Sequence, residues 1–242
     1  MDLFRGSHPK ILRKRRMEAL YQYIIFDLDG TLIKSEEGLY DSITYALEKS
    51  GVHPGDRKDM KRMIGPVLWE SFQKFYNMSA EEADRANAYF TEAYDREGIY
   101  NVSIYEGVEQ MLETLRNAGR ILLVVTAKPR DMAETVLKHT GIDQYFQAVI
   151  GPAREDKKTD KGSLLKKALS FLATTRTDHF HNEQAVMVGD RRFDIEGAGE
   201  AGIRSIGVLY GYGDRQELIS AGVTYLAETP ADVVKLICRE SV

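Results

Sequence analysis

The sequence is poor in cysteine, in long apolar runs and in net charge, and each shortage removes a class of protein. Cys238 is the single cysteine of 242 residues, which excludes an internal disulfide and a thiolate metal cluster and fits a reducing, cytoplasmic setting. No apolar run approaches the roughly 20 residues of a membrane-spanning helix, so no membrane partner is expected. A net charge of −4 at pH 7 gives no support to nucleic acid as the main partner. Neither an internal repeat nor a low-complexity tract is visible. What remains, with 43% hydrophobic and 29% charged residues, suffices for a sizeable core in one large or two unequal domains.

The charge is uneven. Arg5, Lys10, Arg13, Lys14, Arg15 and Arg16 stand against Asp2 and Glu18 in residues 1–22, which carry +4 and leave −8 for the rest. No long apolar segment follows the basic cluster, which argues against a secretory signal and for a solvated basic N-terminal extension over residues 1–22. Met17 is a candidate native start, because the folded pattern begins just after it.

The chain is organised around Tyr23-Ile24-Ile25-Phe26-Asp27-Leu28-Asp29-Gly30-Thr31, an apolar run that stops at two carboxylates. Such a run suits a buried parallel strand whose carboxyl end opens into a crevice, with Gly30 allowing the sharp turn. Carboxylates this close repel one another, so a cation is expected beside them. An EF-hand loop is a poor alternative: a strand precedes the acidic turn, and Leu32-Ile33 follow where further oxygen ligands are needed.

Residues 36–104 then read as helix throughout, with no strand-like alternation. Leu39, Ile43, Ala46 and Leu47 share one side of a first helix, Val67 to Tyr76 suggest a second, and Ser79 with Glu82 has capping-box spacing for a third. Roughly 70 residues exceed what a crossover helix needs and match a small helical domain. From Val108 a βα rhythm returns, with strands over 121–125, 148–150, 185–188 and 205–209 and a surface loop over 173–184. With the first strand these make a doubly wound, five-stranded parallel sheet of Rossmann-like α/β type. The expected organisation is a catalytic core over 23–35 and 105–242, with an all-helical cap over 36–104 hinged at Ser35 and Ile104 to Glu106.

Later stretches supply partners for the first. Thr126 ends the second strand before Ala127-Lys128-Pro129, where a hydroxyl and backbone N–H groups can hold phosphate oxygens. Lys161 opens a helix in a segment that also holds Lys157 and Lys158. Gly189-Asp190-Arg191-Arg192-Phe193-Asp194 is another strand-end acidic turn, with its two carboxylates one helical turn apart.

This order of Asp-x-Asp-Gly-Thr, Thr, Lys and Gly-Asp-x-x-x-Asp resembles the four motifs of the haloacid dehalogenase superfamily. The helical insertion after the first motif looks like its first-position cap, as in the phosphoglycolate phosphatase branch. Ile64-Gly65-Pro66-Val67-Leu68 and Gly207 to Gly213 are similar to members named phosphoglycolate phosphatase or 5′-nucleotidase. The resemblance implies a Mg²⁺-dependent phosphatase of small phosphomonoesters that works through an aspartyl-phosphate, with Asp27 as nucleophile and Asp29 as general acid and base. It implies Mg²⁺ on Asp27, the backbone carbonyl of Asp29 and Asp190, with Asp194 orienting them. Phosphate would be held by Thr126, Ala127 and Lys161, the last chosen over Lys157 and Lys158 for its helix-start position. Arg62, Gly65 and Pro66 are the expected specificity residues of the cap. A sugar phosphomutase, a phosphonatase or a catalytically silent binding module of the same fold are the alternatives, and protein partners are unknown.

Overall fold

The computed structural model describes residues 21–156, 159–175 and 180–238. The basic extension other than Tyr21 and Gln22, the candidate start at Met17, and Lys157 and Lys158 therefore lie outside the described residues. The N-terminal half runs β1 (Tyr23–Phe26), β2 (Ile33–Lys34), α1 (Glu36–Lys49), α2 (Arg57–Met60), α3 (Leu68–Tyr76), α4 (Ala80–Arg96), β3 (Ser103–Ile104), α5 (Val108–Asn117) and β4 (Ile121–Val125). It continues through α6 (Arg130–Thr140), β5 (Ala148–Ile150), α7 (Lys161–Thr175), β6 (Ala185–Gly189), α8 (Arg192–Glu200), β7 (Arg204–Val208), α9 (Arg215–Ser220), β8 (Tyr225–Ala227) and α10 (Pro230–Ile237).

The main sheet is parallel, in the order β5-β4-β1-β6-β7-β8, so it has six strands rather than the expected five. The addition, β8, is a three-residue, half-buried edge strand, too short to give a periodic signal. A further correction falls in the expected loop over 173–184, where α7 continues to Thr175 and a single helical turn covers Asn182–Gln184.

Strand β1 sits centrally, and its side chains divide between the two faces as a parallel strand requires. Ile24 and Phe26 pack with Leu112 and Leu115 of α5, Val136 of α6 and Val233 of α10. Tyr23 and Ile25 pack with Leu164, Leu165 and Leu172 of α7 and with Ala198 of α8. The strand order reverses at β1, with β4 on one side and β6 on the other, and that reversal opens a crevice at the carboxyl ends.

Between β2 and β3 the chain is helical. Ser79 accepts from the Glu82 N–H while the Glu82 carboxylate accepts from the Ser79 N–H, a reciprocal cap that contributes about 1 kcal/mol to starting α4. Ile43, Leu47, Phe72, Ala86, Phe90 and Tyr94 form an apolar interior continuous with that of the sheet's first face. The two strands carrying the chain out and back, β2 and β3, pair antiparallel, Ile33 opposite Ile104. Among the described residues no helix is long and apolar enough to cross a membrane.

Candidate active site

Strands β1 and β6 are neighbours in register, Phe26 opposite Val188, so the acidic turns that follow them open at the same level. The Asp27 N–H extends the pairing to the Val188 carbonyl at 2.9 Å. Asp194 lies in the first turn of α8, and its carboxylate accepts from the Arg191 N–H at 3.1 Å. Carboxylate oxygens of Asp27, Asp190 and Asp194 consequently lie within 4.8 Å of one another, all buried. Lys161, the first residue of α7, enters this group. Its Nζ is 2.7 Å from Asp27 Oδ1 and 2.9 Å from Asp194 Oδ1, and it donates to the Val125 carbonyl at 3.1 Å.

One ammonium among three carboxylates leaves the cluster short of positive charge. Burial, moderated by Lys161 and reinforced by Asp194, pushes Asp27 up to about 7. Burial followed by the charges of Asp194 and Asp27 takes Asp190 to about 8. For Lys161 burial acts downward, but Asp194 and Asp27 outweigh it and hold the ammonium above its ordinary range. A buried set of three carboxylates with only one ammonium beside it fits a small, hard divalent cation such as Mg²⁺.

Asp190 is held on every side. Thr31 Oγ1 donates to its Oδ1 at 3.0 Å and the Tyr212 N–H to its Oδ2 at 2.8 Å. Gly30, at φ +87°, and Gly211 pack so closely that a Cβ on either would fall 2.3 Å from an Asp190 side-chain atom. The Tyr212 hydroxyl accepts from the Ser35 N–H at 2.9 Å and donates to Glu36 at 2.8 Å. Ser35 Oγ in turn donates to Asp29.

The Asp29 carboxylate is not part of that three-carboxylate group and has its own partners. Lys128 Nζ lies 3.1 Å from its Oδ1 and 3.0 Å from its Oδ2, and also donates to the Tyr94 hydroxyl of α4 at 2.9 Å. Lys128, Tyr94 and Tyr212 are site residues that the sequence motifs do not assign. Thr126, directly after β4, is buried, its Oγ1 accepting from the Lys128 N–H at 3.1 Å.

Asp27, Asp29, Thr126 and Ala127 line a cavity of about 140 Å³, to which the helical segment between β2 and β3 also contributes wall. Of the residues expected to read substrate there, Gly65 and Pro66 line the cavity. Arg62 does not: its guanidinium lies 4.4 Å from the Phe75 ring centroid, because the helical turn at Lys61–Met63 points Met63 inward and leaves Arg62 exposed. Arg191 ties the same loop to the core, donating to the Ile64 carbonyl and, at 2.8 Å, to Glu217.

The sequence model of the haloacid dehalogenase-like hydrolases matches residues 24–208. A 5′-nucleotidase from Pseudomonas aeruginosa is 32% identical over 198 residues, 82% of this chain and 87% of that one. The tyrosine-protein kinase PtkA of Mycobacterium tuberculosis is 33% identical over 216 residues, 89% of this chain and 71% of that one. Among solved structures, a predicted phosphatase from Clostridium acetobutylicum superposes with a TM-score of 0.85 at 33% identity, covering 90% of this chain and 99% of that one.

Proposed function

The chain belongs to the haloacid dehalogenase-like hydrolases, and from that membership we propose that it is a Mg²⁺-dependent phosphatase of small phosphomonoesters. The observation that carries the reading is the meeting of Asp27, Asp190, Asp194 and Lys161 in one buried cluster beside a cavity that Thr126 also lines. Asp27 and Asp190, with the main-chain carbonyl of Asp29, would hold the ion, and Asp194 would keep that set oriented. Bound Mg²⁺ would neutralise the cluster and favour the ionised form of Asp27.

Asp27 is the nucleophile in this reading. Its carboxylate oxygen bonds to phosphorus as the ester oxygen leaves, and Asp29 gives that oxygen a proton. Asp29, poised by Ser35 and Lys128, then takes a proton from water as the water attacks phosphorus. The Asp27 carboxylate and inorganic phosphate are released. Lys161 and the Thr126 hydroxyl stabilise the phosphoryl oxygens while charge shifts among them.

We also assign residues 23–35 and 105–242 to a catalytic core and 36–104 to a cap. The paired β2 and β3 form the two-stranded connection about which the cap would close and exclude water. Among the alternatives, a phosphonatase is disfavoured because no cap lysine lines the cavity among the described residues. A silent binding module is disfavoured because the acidic cluster retains its catalytic members. Release of phosphate from p-nitrophenyl phosphate, with and without Mg²⁺, tests the proposal. Activity that survives complete metal removal, or no activity with any phosphomonoester, overturns it.

A further inference from the structure

The cavity that Asp27 and Asp29 line is also walled by Ile43, Met63, Phe90, Tyr94 and Met132. The Phe90 and Tyr94 rings stack, 5.3 Å between centroids. The described cations at its edge are already engaged. Lys128 is spent on Asp29 and Tyr94. Arg154, at the rim, is gripped by Asp95 of α4 and Asp131 of α6. Asp156 adds a further carboxylate to that rim, and Arg62 is away on Phe75. Asn87 of α4 also lines the cavity, and its side-chain amide, with one donor and one acceptor end, makes no hydrogen bond among the described residues.

Charge, shape and size together narrow what can leave from phosphorus. A carboxylate or second phosphate on the leaving group would enter a mainly apolar space with no uncommitted cation among the described residues, and a buried unpaired anion is strongly disfavoured. An uncharged apolar body meets aromatic and methionine side chains instead, and its polar edge can meet Asn87. The cavity of about 140 Å³ must also take the phosphoryl group beside Asp27, Asp29 and Thr126, which favours a leaving group no larger than about one ring.

Resting on the phosphatase reading above, we infer that this enzyme prefers phosphate esters of compact, uncharged, single-ring alcohols and selects against leaving groups that carry a carboxylate or a second phosphate, phosphoglycolate among them. The selecting residues are Phe90, Tyr94, Met63 and Asn87, all on the cap side of the cavity.

The test compares kcat/KM for benzyl phosphate and 4-carboxybenzyl phosphate with saturating Mg²⁺. Their reacting C–O–P units match, so the Asp27 chemistry is held constant while one negative charge is added. Benzyl phosphate should be preferred by about 100-fold, the order expected for stranding an anion in an apolar site. 2-Hydroxyethyl phosphate should likewise exceed phosphoglycolate. In Asn87→Lys, which brings a cation to the wall, the carboxylate penalty should shrink by about 10-fold, the order expected for a charge-assisted hydrogen bond. Equal constants for the two benzyl esters, or a preference for the carboxylate, overturn the inference and leave the phosphatase reading standing. No phosphate release from these four esters or from p-nitrophenyl phosphate removes the phosphatase reading and the inference together.

Discussion

Lys128 Nζ donates to the Tyr94 hydroxyl at 2.9 Å, joining the loop after β4 to helix α4. The same ammonium lies 3.0 Å from Asp29, so one buried cation couples the proposed general acid to the proposed cap. Burial acts to lower the pKa of Lys128, but Asp29 and Tyr94 more than compensate and keep it raised. The coupling therefore stays charged across any practical assay range.

Replacing that cation separates its two duties. Lys128→Met should lower kcat by about 10- to 100-fold, because Asp29 loses the partner that fixes its side chain. Tyr94→Phe removes one hydroxyl and leaves the Lys128 to Asp29 pair, so its loss should stay within about 5-fold. Steady-state rates with p-nitrophenyl phosphate check both. A Tyr94→Phe loss as large as that of Lys128→Met would place the main coupling at the cap.

Asp27→Asn should abolish turnover without unfolding the protein. The amide cannot attack phosphorus, and trapping with beryllium fluoride at this residue should be lost with it. Stability should not fall. With Asp27 ionised, three carboxylates face Lys161 alone, and the amide removes one repelling charge while Asp194 still pairs the ammonium. Metal-free melting should show the variant at or above wild type, and a large drop in Tm would contradict this account of the cluster.

Metal and pH should act together on stability. Asp27 and Asp190 hold protons in the folded state up to about 7 and about 8, whereas the unfolded chain releases them near an ordinary Asp value of about 4. The unfolded state thus binds fewer protons at these two positions through that window, so the pair withdraws stability from the metal-free protein as pH rises from about 4 to about 8. Mg²⁺ binds the deprotonated cluster and should raise Tm more at pH 8 than at pH 5. Thermal melts with Mg²⁺ or with chelator at each pH check this. An equal shift at both pH values would place the ion elsewhere.

The parts of this site legible in the sequence are those that depend on local geometry. Asp27, Asp190 and Thr126 each follow a buried apolar run, so strand ends could be read from composition, and Asp194 follows Asp190 by one helical turn. Lys161 was distinguishable from its neighbouring lysines by the amphipathic helix it starts. Lys128, Tyr94 and Tyr212 were not legible as site residues, because their roles arise from contacts 99, 34 and 177 positions along the chain. A lysine after a strand-end threonine looks like any loop cation until the Tyr94 hydroxyl is seen above it. Strand β8 was missed for a different reason: three half-buried edge residues carry too little pattern.

The proposed cap offers a sharp contrast between a residue chosen by charge and one found by contact. Arg62 suits an anionic leaving group on chemistry alone, yet its guanidinium stacks over Phe75 and it contributes nothing to the cavity wall. Arg62→Ala should therefore leave relative kcat/KM across a panel of phosphate esters unchanged within about 2-fold. Its exposed cation–π contact accounts for only about 0.5–1 kcal/mol of stability. Phe90 is 8% exposed, lines the cavity and stacks on Tyr94. Phe90→Ala should lower kcat/KM most for the aryl and benzyl esters, by about 10-fold or more, because those leaving groups lose the most apolar contact. Smaller esters such as 2-hydroxyethyl phosphate should change less, which distinguishes lost contact from general damage to the cap. The reverse pattern, with Arg62→Ala reordering the panel and Phe90→Ala lowering every ester equally, would mean that substrate meets the cap in an arrangement different from this one.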